Sequence, residues 1–345
     1  MIRLTLRQFR TGAIIGCAAL AALALVITLT GPHLAEVNDA FQRACRAVGD
    51  CQTAPNPVFT EYPQLQVLLP VIGIITPALL GLFFGAPLIA SELESGTYRL
   101  AWTQSVTRRR WLATKLAVVG LAAVALTGLL IWMLDWWAGP LDAVKQDRFS
   151  PGVFSWHGVA PIGYTLFAFA LGVAAGVLAR RTVPAMAITL VGFVAARLAV
   201  EDWMRPNFAV PVHRSFSLLT TGFGSLQLSA PSGTYSLTAP PVVIRNAWVL
   251  STALVDRANR ALTGKEFIRI CSGYAHLGGE PPTPSQIMSI HAACVRKLSL
   301  TYHTVASFQP GSRFWPFQWL EMGVFIVAAL ALGGLAYWGL RRRFT

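Results

Sequence analysis

Six apolar stretches, each long enough to cross the hydrocarbon core of a membrane, constrain the fold of this chain more than any other feature. They cover residues 11–31, 66–90, 111–134, 160–179, 183–200 and 317–340. A transmembrane helix needs about 20 mainly apolar residues, and its backbone polar groups bond within the helix because lipid offers no partners. Only 12% of the residues are charged, whereas soluble domains carry roughly 25%. The sequence therefore predicts an α-helical polytopic membrane protein.

The first apolar stretch has two interpretations. Arg3, Arg7 and Arg10 precede it, as basic residues precede the apolar core of a signal peptide. The stretch is about 20 residues long, however, and no clean small-x-small cleavage site comes before Pro32, which favours a retained span. Cys17 lies within this span and is expected to be a buried apolar residue.

Lys and Arg residues predict the orientation of the spans. An even number of spans puts both termini on one side, together with residues 91–115 and the turn at 180–181. That side carries the following basic residues: Arg3, Arg7, Arg10, Arg99, Arg108, Arg109, Arg110, Lys115, Arg180, Arg181, Arg341, Arg342 and Arg343. Its acids are Glu92 and Glu94, whereas the charges of the opposite side are nearly balanced. The positive-inside rule therefore places both termini, with the tail 341–345, in the cytoplasm.

Spans four and five are separated by a tight cytoplasmic turn at Arg180, Arg181 and Thr182. The fourth span also contains Gly172 and Gly176. Glycines four residues apart permit another helix to approach closely, although this spacing is common by chance.

The segments 32–65, 135–159 and 201–316 are predicted to lie outside the cell. The last one, between spans five and six, is long enough to fold as a small domain. Its stretch SAPSGTYSLTAPPVVI favours strands and turns, whereas NAWVLSTALVDRANRAL and PSQIMSIHAACVRKL favour helices. The sequence thus predicts a large extracellular α+β insertion.

Four of the five cysteines fall in these outer segments, namely Cys45, Cys51, Cys271 and Cys294. An even number of cysteines in an oxidising compartment favours two disulfides. Pairing of near neighbours would give Cys45–Cys51 and Cys271–Cys294. Four cysteines allow three connectivities, so cross-pairing stays open, as do free thiols.

Motifs for catalysis, cofactor binding and metal binding are absent from the sequence. The pair Gly264–Lys265 is followed by Glu266 instead of the Ser or Thr of a phosphate-binding loop. No zinc-protease or serine-hydrolase motif occurs, and apart from His291, three residues before Cys294, no His residue has the spacing of a metal ligand. We expect no catalytic residue, no bound metal and no cofactor in this chain. The net charge of +13 reflects orientation in the lipid bilayer, so no nucleic-acid partner is expected.

Acidic residues near the spans are expected at their outer ends, where they can reach water: Asp135, Glu201, Asp202 and Glu321. Arg197, one helical turn before Glu201, is expected to be its ion-pair partner. A carrier driven by protons or sodium usually has an ionisable residue near the middle of the membrane, and this marker is missing. The energy source is therefore expected on another chain.

The stretch IASELESGTYRLAWTQSVTRRRW (residues 89–111) concentrates polar residues on the predicted inner side. Ser91 is expected to be an N-cap, and Glu94 to complete a capping box on a short cytoplasmic helix. Gly96 would break or bend that helix. Two explanations of Glu92 and Glu94 stay open: they belong to a capped interfacial helix with no further role, or they make a specific contact.

The pattern E-x-E-x-G-T at residues 92–97, followed by a basic cluster and Lys115, resembles permease subunits of the type-2 ABC transporter class. The resemblance implies that residues 91–110 contain the coupling helix, which docks on a separate nucleotide-binding subunit. It also implies that residues 1–10 are an amphipathic elbow helix and that residues 309–321 are a re-entrant or interfacial segment. The coupling residues carried over from the motif are Glu92, Glu94, Gly96, Thr97 and Tyr98.

By this resemblance the chain is the membrane subunit of an ATP-driven exporter in a bacterial plasma membrane, and is not by itself an enzyme. Two permease copies, or this chain with a close relative, would pair with two ATPase subunits that bind ATP and Mg. Movement of the coupling helices would switch the permease between inward and outward states. Spans lined by Ala, Leu, Val and Gly suggest an apolar or amphiphilic cargo.

Two other functions stay open. The chain could be a membrane-anchored sensor or receptor with an extracellular ligand-binding domain, or an integral membrane enzyme that acts on lipids. Extraction in mild detergent separates these functions, because an ATP-hydrolysing subunit should accompany the chain only in an exporter.

Overall fold

The computed structural model divides the chain into two compact units, Met1–Phe208 with Arg313–Thr345 and the inserted Ala209–Ser312. The structure describes residues 2–48, 56–96, 108–221, 226–229, 234–237, 242–272 and 283–343. The described helices, of which α8 to α10 belong to the inserted unit, are α1 (Ile2–Val48), α2 (Pro63–Leu80), α3 (Ala86–Ser95), α4 (Arg108–Lys145), α5 (Pro151–Phe154), α6 (Ala160–Ala179), α7 (Thr182–Ala199), α8 (Leu218–Thr221), α9 (Gly264–Ile270), α10 (Pro284–Ser299) and α11 (Phe314–Arg343).

Six helical segments of the described residues are long and apolar enough to cross a membrane, which confirms the predicted polytopic helical fold. They are Arg10–Ala47, Pro63–Ser95, Trp111–Lys145, Ala160–Ala179, Thr182–Asn207 and Gly311–Gly339. Two π-helical turns are built into them. Gly81–Gly85 joins α2 to α3, and Val200–Met204 prolongs α7.

The first and third spans are longer than the sequence predicted. Helix α1 continues without a break through residue 10, where an elbow helix was predicted to end, and past Pro32, where a loop was predicted to begin. Helix α4 likewise continues to Lys145, beyond the predicted end at residue 134. Leu34, in the part of α1 after Pro32, and Trp137, in the part of α4 after residue 134, are buried in one apolar cluster. Tertiary packing therefore extends both helices beyond the length that an apolar stretch alone indicates.

Helix α6 is the centre of the membrane unit, and most of its residues are buried. Two of its glycines, Gly172 and Gly176, lie directly against the backbone of the second span. A Cβ atom added to Gly172 would lie 2.6 Å from the backbone nitrogen of Ala86, and one added to Gly176 would lie 2.9 Å from the Ala86 carbonyl oxygen. From the opposite side, a Cβ atom on Gly81 would lie 2.6 Å from the carbonyl oxygen of Ala168. The close approach predicted from Gly172 and Gly176 is confirmed.

The inserted unit contains strands as well as helices. Its strands are β1 (Val212–Phe216), β2 (Leu226–Ser229), β3 (Thr234–Leu237), β4 (Trp248–Asp256) and β5 (Tyr302–Gln309). β1, β5 and β4 form an antiparallel sheet in this order, and β2 pairs with β3. The first strand thus lies beside the last. Val212 pairs with Phe308, and Gln309 Nε2 donates to the Ala209 carbonyl oxygen over 2.7 Å.

One predicted helix of this unit is wrong. Residues Trp248–Asp256, within the stretch NAWVLSTALVDRANRAL, form strand β4, which pairs with β5 along its length. Periodicity cannot separate a short buried strand from a helix, and here the available strand partner decides. The second predicted helix is confirmed as α10, which begins with a capping box between Thr283 and Gln286.

Candidate functional site

The predicted coupling motif lies at the end of the second span. Ser91, Glu92 and Glu94 belong to α3, which ends at Ser95. Gly96 follows with φ 72°, a left-handed conformation that glycine adopts without strain. The predicted helix break at Gly96 is therefore confirmed, whereas Thr97 and Tyr98 lie outside the described residues.

The predicted N-cap at Ser91 is wrong, because no helix begins there. Helix α3 begins at Ala86 and continues the second span. The hydroxyl group of Ser91 donates to the Pro87 carbonyl oxygen over 2.6 Å, as serine does inside a helix. The capping-box pattern from Ser91 to Glu94 thus falls in the interior of a helix.

Glu92 forms a buried ion pair with Lys115 of α4. The two residues are 9% and 3% exposed. The Lys115 ammonium nitrogen also lies 5.0 Å from the ring centroid of Trp111, a cation–π contact. Apolar residues of the second, third and fourth spans surround the pair, including Ile89, Leu112 and Val173. Removing the carboxylate of Glu92 would deprive the buried Lys115 ammonium group of this ion partner, which is costly in an apolar environment.

Glu94 binds the first residue of the fifth span. Its Oε2 atom accepts hydrogen bonds from the Thr182 backbone nitrogen over 3.0 Å and from the Thr182 hydroxyl group over 2.9 Å. Thr182 is the first residue of α7, where backbone N–H groups have no partner within the helix. A carboxylate at this end also interacts favourably with the helix dipole. Glu94 therefore caps a helix, but a different one from the helix that the sequence predicted.

The two acids of the motif connect the end of the second span to two other helices. Glu92 reaches the beginning of α4, and Glu94 reaches the beginning of α7. Glu92 and Glu94 thus hold together the end of α3 and the beginnings of α4 and α7. Each carboxylate has an intramolecular partner, and its predicted contact with an ATPase subunit stays a prediction.

One of the two predicted disulfides is confirmed. A disulfide joins Cys271, next to the end of α9, to Cys294 of α10, with 5.1 Å between the Cα atoms. Cys45 is buried, but Cys51 lies outside the described residues, so the pairing Cys45–Cys51 stays a prediction. Cys17 is exposed, which contradicts the expected burial. Among the described residues, few pack against the most apolar part of the first span, of which only 6% is buried.

A second charged site, at the other end of the membrane unit, was not predicted. Glu321 of α11 accepts hydrogen bonds from Arg205 Nε over 2.7 Å and from Arg205 Nη2 over 2.8 Å. It also accepts from Arg197 Nη1 over 3.0 Å and from the Tyr164 hydroxyl group over 2.6 Å. Glu201 completes the set, 3.3 Å from Arg197 and 3.8 Å from Arg205. We call these five residues the Glu321 cluster.

The centre of the Glu321 cluster is buried, while Arg197 and Glu201 at its edge are half-buried. Glu321 and Arg205 are both 0% exposed, so the expected access of Glu321 to water is wrong. The expected ion pair between Arg197 and Glu201 is present. The π-helical turn at Val200–Met204 changes the helical phase just before Arg205. Periodicity does not anticipate such a turn, and Glu321 lies more than 100 residues away in the sequence, so no local pattern indicated this contact.

A buried histidine contacts the C-terminal part of α4. His157 is 1% exposed, and its Nδ1 atom lies 2.5 Å from Asp135. Its Nε2 atom lies 3.6 Å from Asp142. Within the described residues, no group of three or more potential ligands is arranged to hold a metal ion.

The comparisons with known proteins give one match. The family model described as ABC-2 membrane transporter related matches residues 17–205, more than half of the chain. No curated protein and no solved structure matches the chain. The matched region includes Glu92, Glu94, Lys115 and Thr182, and it ends before the inserted unit.

Proposed function

We propose, on the premise that the chain belongs to the ABC-2 membrane transporter related family, that it forms the translocation pathway of an ATP-driven exporter. Membership makes the chain an ABC transporter permease, a multi-pass membrane component that is not itself catalytic. The proposal adds the outward direction of transport and a separate ATPase subunit that binds ATP and Mg. The observation that carries it is the family match, together with the sixth span, Gly311–Gly339, beyond the matched region.

The proposed topology has both termini in the cytoplasm of a bacterial cell and the inserted unit outside. The distribution of Lys and Arg supports this orientation. The disulfide Cys271–Cys294 supports it independently, because disulfides persist mainly in oxidising compartments. A membrane-impermeant thiol reagent tests the topology. Cysteine placed at Arg257, which is exposed, should be labelled in intact cells, whereas cysteine placed at Ser105 should require permeabilised cells.

The proposed coupling element is the segment 91–110, with Glu92, Glu94, Gly96, Thr97 and Tyr98 as its motif residues. The end of α3 at Gly96 supports this assignment, because the chain leaves the membrane helix there. The contacts of the two acids support it further, since they fix the origin of the segment relative to α4 and α7. A force that a partner exerts on the segment would therefore act on several helices.

We further propose that two permease chains, either two copies or this chain with a close relative, assemble with two ATPase subunits. Large apolar residues exposed on α1 and α7, such as Leu29 (70%) and Val191 (69%), support an apolar environment of lipid or a second permease chain. The apolar character of the spans agrees with an apolar or amphiphilic cargo.

Co-purification tests the coupling directly. Extraction in mild detergent should recover an ATP-hydrolysing subunit with the wild-type chain. The variant Thr97→Ala with Tyr98→Ala should insert normally and lose that subunit. Reversing Glu92 to Arg is a poor test, because the new cation would lie beside Lys115 and disturb folding. Recovery of the wild-type chain without an ATPase would refute the exporter and favour a membrane-anchored sensor.

A further inference from the structure

Glu92 and Glu94, at the end of α3 where the proposed coupling segment begins, contact two residues that the motif does not include, Lys115 and Thr182. Lys115 lies in the second turn of α4 and is buried against Glu92. Thr182 is the first residue of α7, and it donates two hydrogen bonds to one oxygen of Glu94. The last turn of α3 therefore contacts the third span through the carboxylate of Glu92 and the fifth span through that of Glu94.

The backbone behind these contacts is tightly packed. Helix α3 lies against α6 with so little space that a Cβ atom on Gly176 would come within 2.9 Å of the Ala86 carbonyl oxygen. An α-helix transmits displacement along its axis because its hydrogen-bonded turns are stiff, and close-packed interiors transmit strain. A displacement at Gly96 would therefore shift Glu92 and Glu94 along with the end of α3.

The two contacts resist separation for different reasons. The ion pair between Glu92 and Lys115 is buried, so lengthening it would weaken the attraction that offsets the burial of both charges. The contact between Glu94 and Thr182 is exposed, but its two donors lie at a helix N-terminus, which attracts a carboxylate. We propose that Lys115 and Thr182 are positioning residues through which the coupling segment moves the third and fifth spans. The inference rests on the proposed function, since it requires an ATPase partner.

Substitutions can remove each contact while preserving the fold. Thr182→Pro removes both donors, and proline is tolerated at the first position of a helix. The preceding residue, Arg181, has φ −134° and ψ 138°, a conformation that suits a residue before proline. Thr182→Ser keeps both donors and is the matched control. For the buried pair, Lys115→Met combined with Glu92→Gln removes both charges together, so no unpaired charge remains.

Spin labels measure whether ATP binding on the partner reaches each span. Cysteines for labelling are placed singly at Val183 on α7, which is 76% exposed, at Leu121 on α4, which is 69% exposed, and at Ser91 on α3, which is exposed. The parent chain carries Cys17→Ala, because Cys17 is exposed and would react. The purified complex with its ATPase is compared without nucleotide and after trapping with ATP and vanadate.

In the parent complex, trapping should change the mobility of the label at all three positions. Thr182→Pro should reduce the change at Val183 at least about fivefold, the lower range of measured coupling between sites, while Thr182→Ser leaves it intact. The double variant of Lys115 and Glu92 should reduce the change at Leu121 in the same way. The label at Ser91 should change its mobility on trapping in every variant. A variant that had lost its fold would not show this change.

Different results would overturn different statements. If the label at Val183 responds equally in Thr182→Pro while Ser91 still responds, the proposed function stands and Thr182 is not a positioning residue. The same outcome at Leu121 would exclude Lys115. If no ATPase subunit co-purifies, or if the label at Ser91 does not respond in the parent complex, the proposed function itself fails, and the inference with it.

Discussion

The residues of the Glu321 cluster should have strongly coupled energetics, which a double-mutant cycle between Arg205 and Glu321 can measure. The two residues share two hydrogen bonds, of 2.7 and 2.8 Å, and both are 0% exposed. The perturbations are Arg205→Met, which keeps much of the side-chain volume, and Glu321→Leu. Each single variant removes one charge, and the double variant removes the pair.

The expected costs of the single variants differ because the two residues have different neighbours. Glu321→Leu removes the acceptor of four hydrogen bonds and leaves the fully buried Arg205 with Glu201 at 3.8 Å as its remaining ion partner. Breaking a buried ion pair in this way costs about 3–5 kcal/mol of unfolding free energy. After Arg205→Met, Glu321 still has Arg197 and Tyr164 as partners. We expect a smaller cost, of about 1.5–3 kcal/mol, typical of lost hydrogen bonds to a charged group.

The double variant should be more stable than the sum of the single variants predicts, because it leaves neither member of the pair as an unpaired charge. Arg197 and Glu201 would remain as a pair in that variant. The measurement is chemical unfolding in mild detergent micelles, followed by tryptophan fluorescence and checked for reversibility. A coupling energy below about 0.5 kcal/mol, the limit for independent sites, would refute the conclusion that the two residues form one buried unit.

Three further predictions concern other parts of the chain. Gly172→Val should destabilise the membrane unit by about 1–3 kcal/mol through overpacking, while Gly128→Val, at a position with no atom within 4 Å of an added Cβ, should cost less; melting temperatures of the purified chain compare the two. Replacing Cys271 and Cys294 by Ser removes a cross-link over 23 residues and should lower the free energy of unfolding of the inserted unit by about 3.5 kcal/mol in the chain-entropy model; limited proteolysis under oxidising and reducing conditions measures this loss. The pKa of Asp256 is lowered by backbone and side-chain hydrogen bonds that its carboxylate accepts. The stability that this carboxylate contributes should therefore be fully present above its ordinary pKa of 3.8. It should be lost as the pH falls from that value through the lowered pKa of the folded protein. An Asp256→Asn variant should lack this part of the acid sensitivity in a pH series of melting curves, and an unchanged pH profile would contradict the assignment.

The number of spans was predictable because each depends on a local property, an apolar stretch of sufficient length. The ends of the helices were not, because they depend on contacts with distant residues. Leu34 and Trp137 show this: each belongs to a helix that continues past its apolar stretch, and the two residues are buried in the same cluster. The same reason explains strand β4, whose partner β5 begins more than 40 residues later in the sequence.

The candidate site was predictable in part. The motif residues Glu92 and Glu94 stood out because acids are rare on the predicted inner side, and Gly96 ends the helix as expected. Their partners Lys115 and Thr182 could not be assigned, since the sequence does not state which spans are neighbours. The capping pattern from Ser91 to Glu94 gave a wrong prediction of a helix start, and the reason lies in the residues just before it. Such a pattern indicates a helix start only where the preceding residues are not helical, and here the second span continues through it.

The antiparallel neighbours β1 and β5 have a consequence for the history of the chain. They are the first and last strands of the inserted unit, and paired residues such as Val212 and Phe308 lie at most about 5.5 Å apart between Cα atoms. A unit whose two ends are this close can be gained or lost as a single cassette, because a linker of a few residues closes the gap. Relatives with a short loop between the fifth and sixth spans, and relatives with a different domain there, are therefore both compatible with the same six helices.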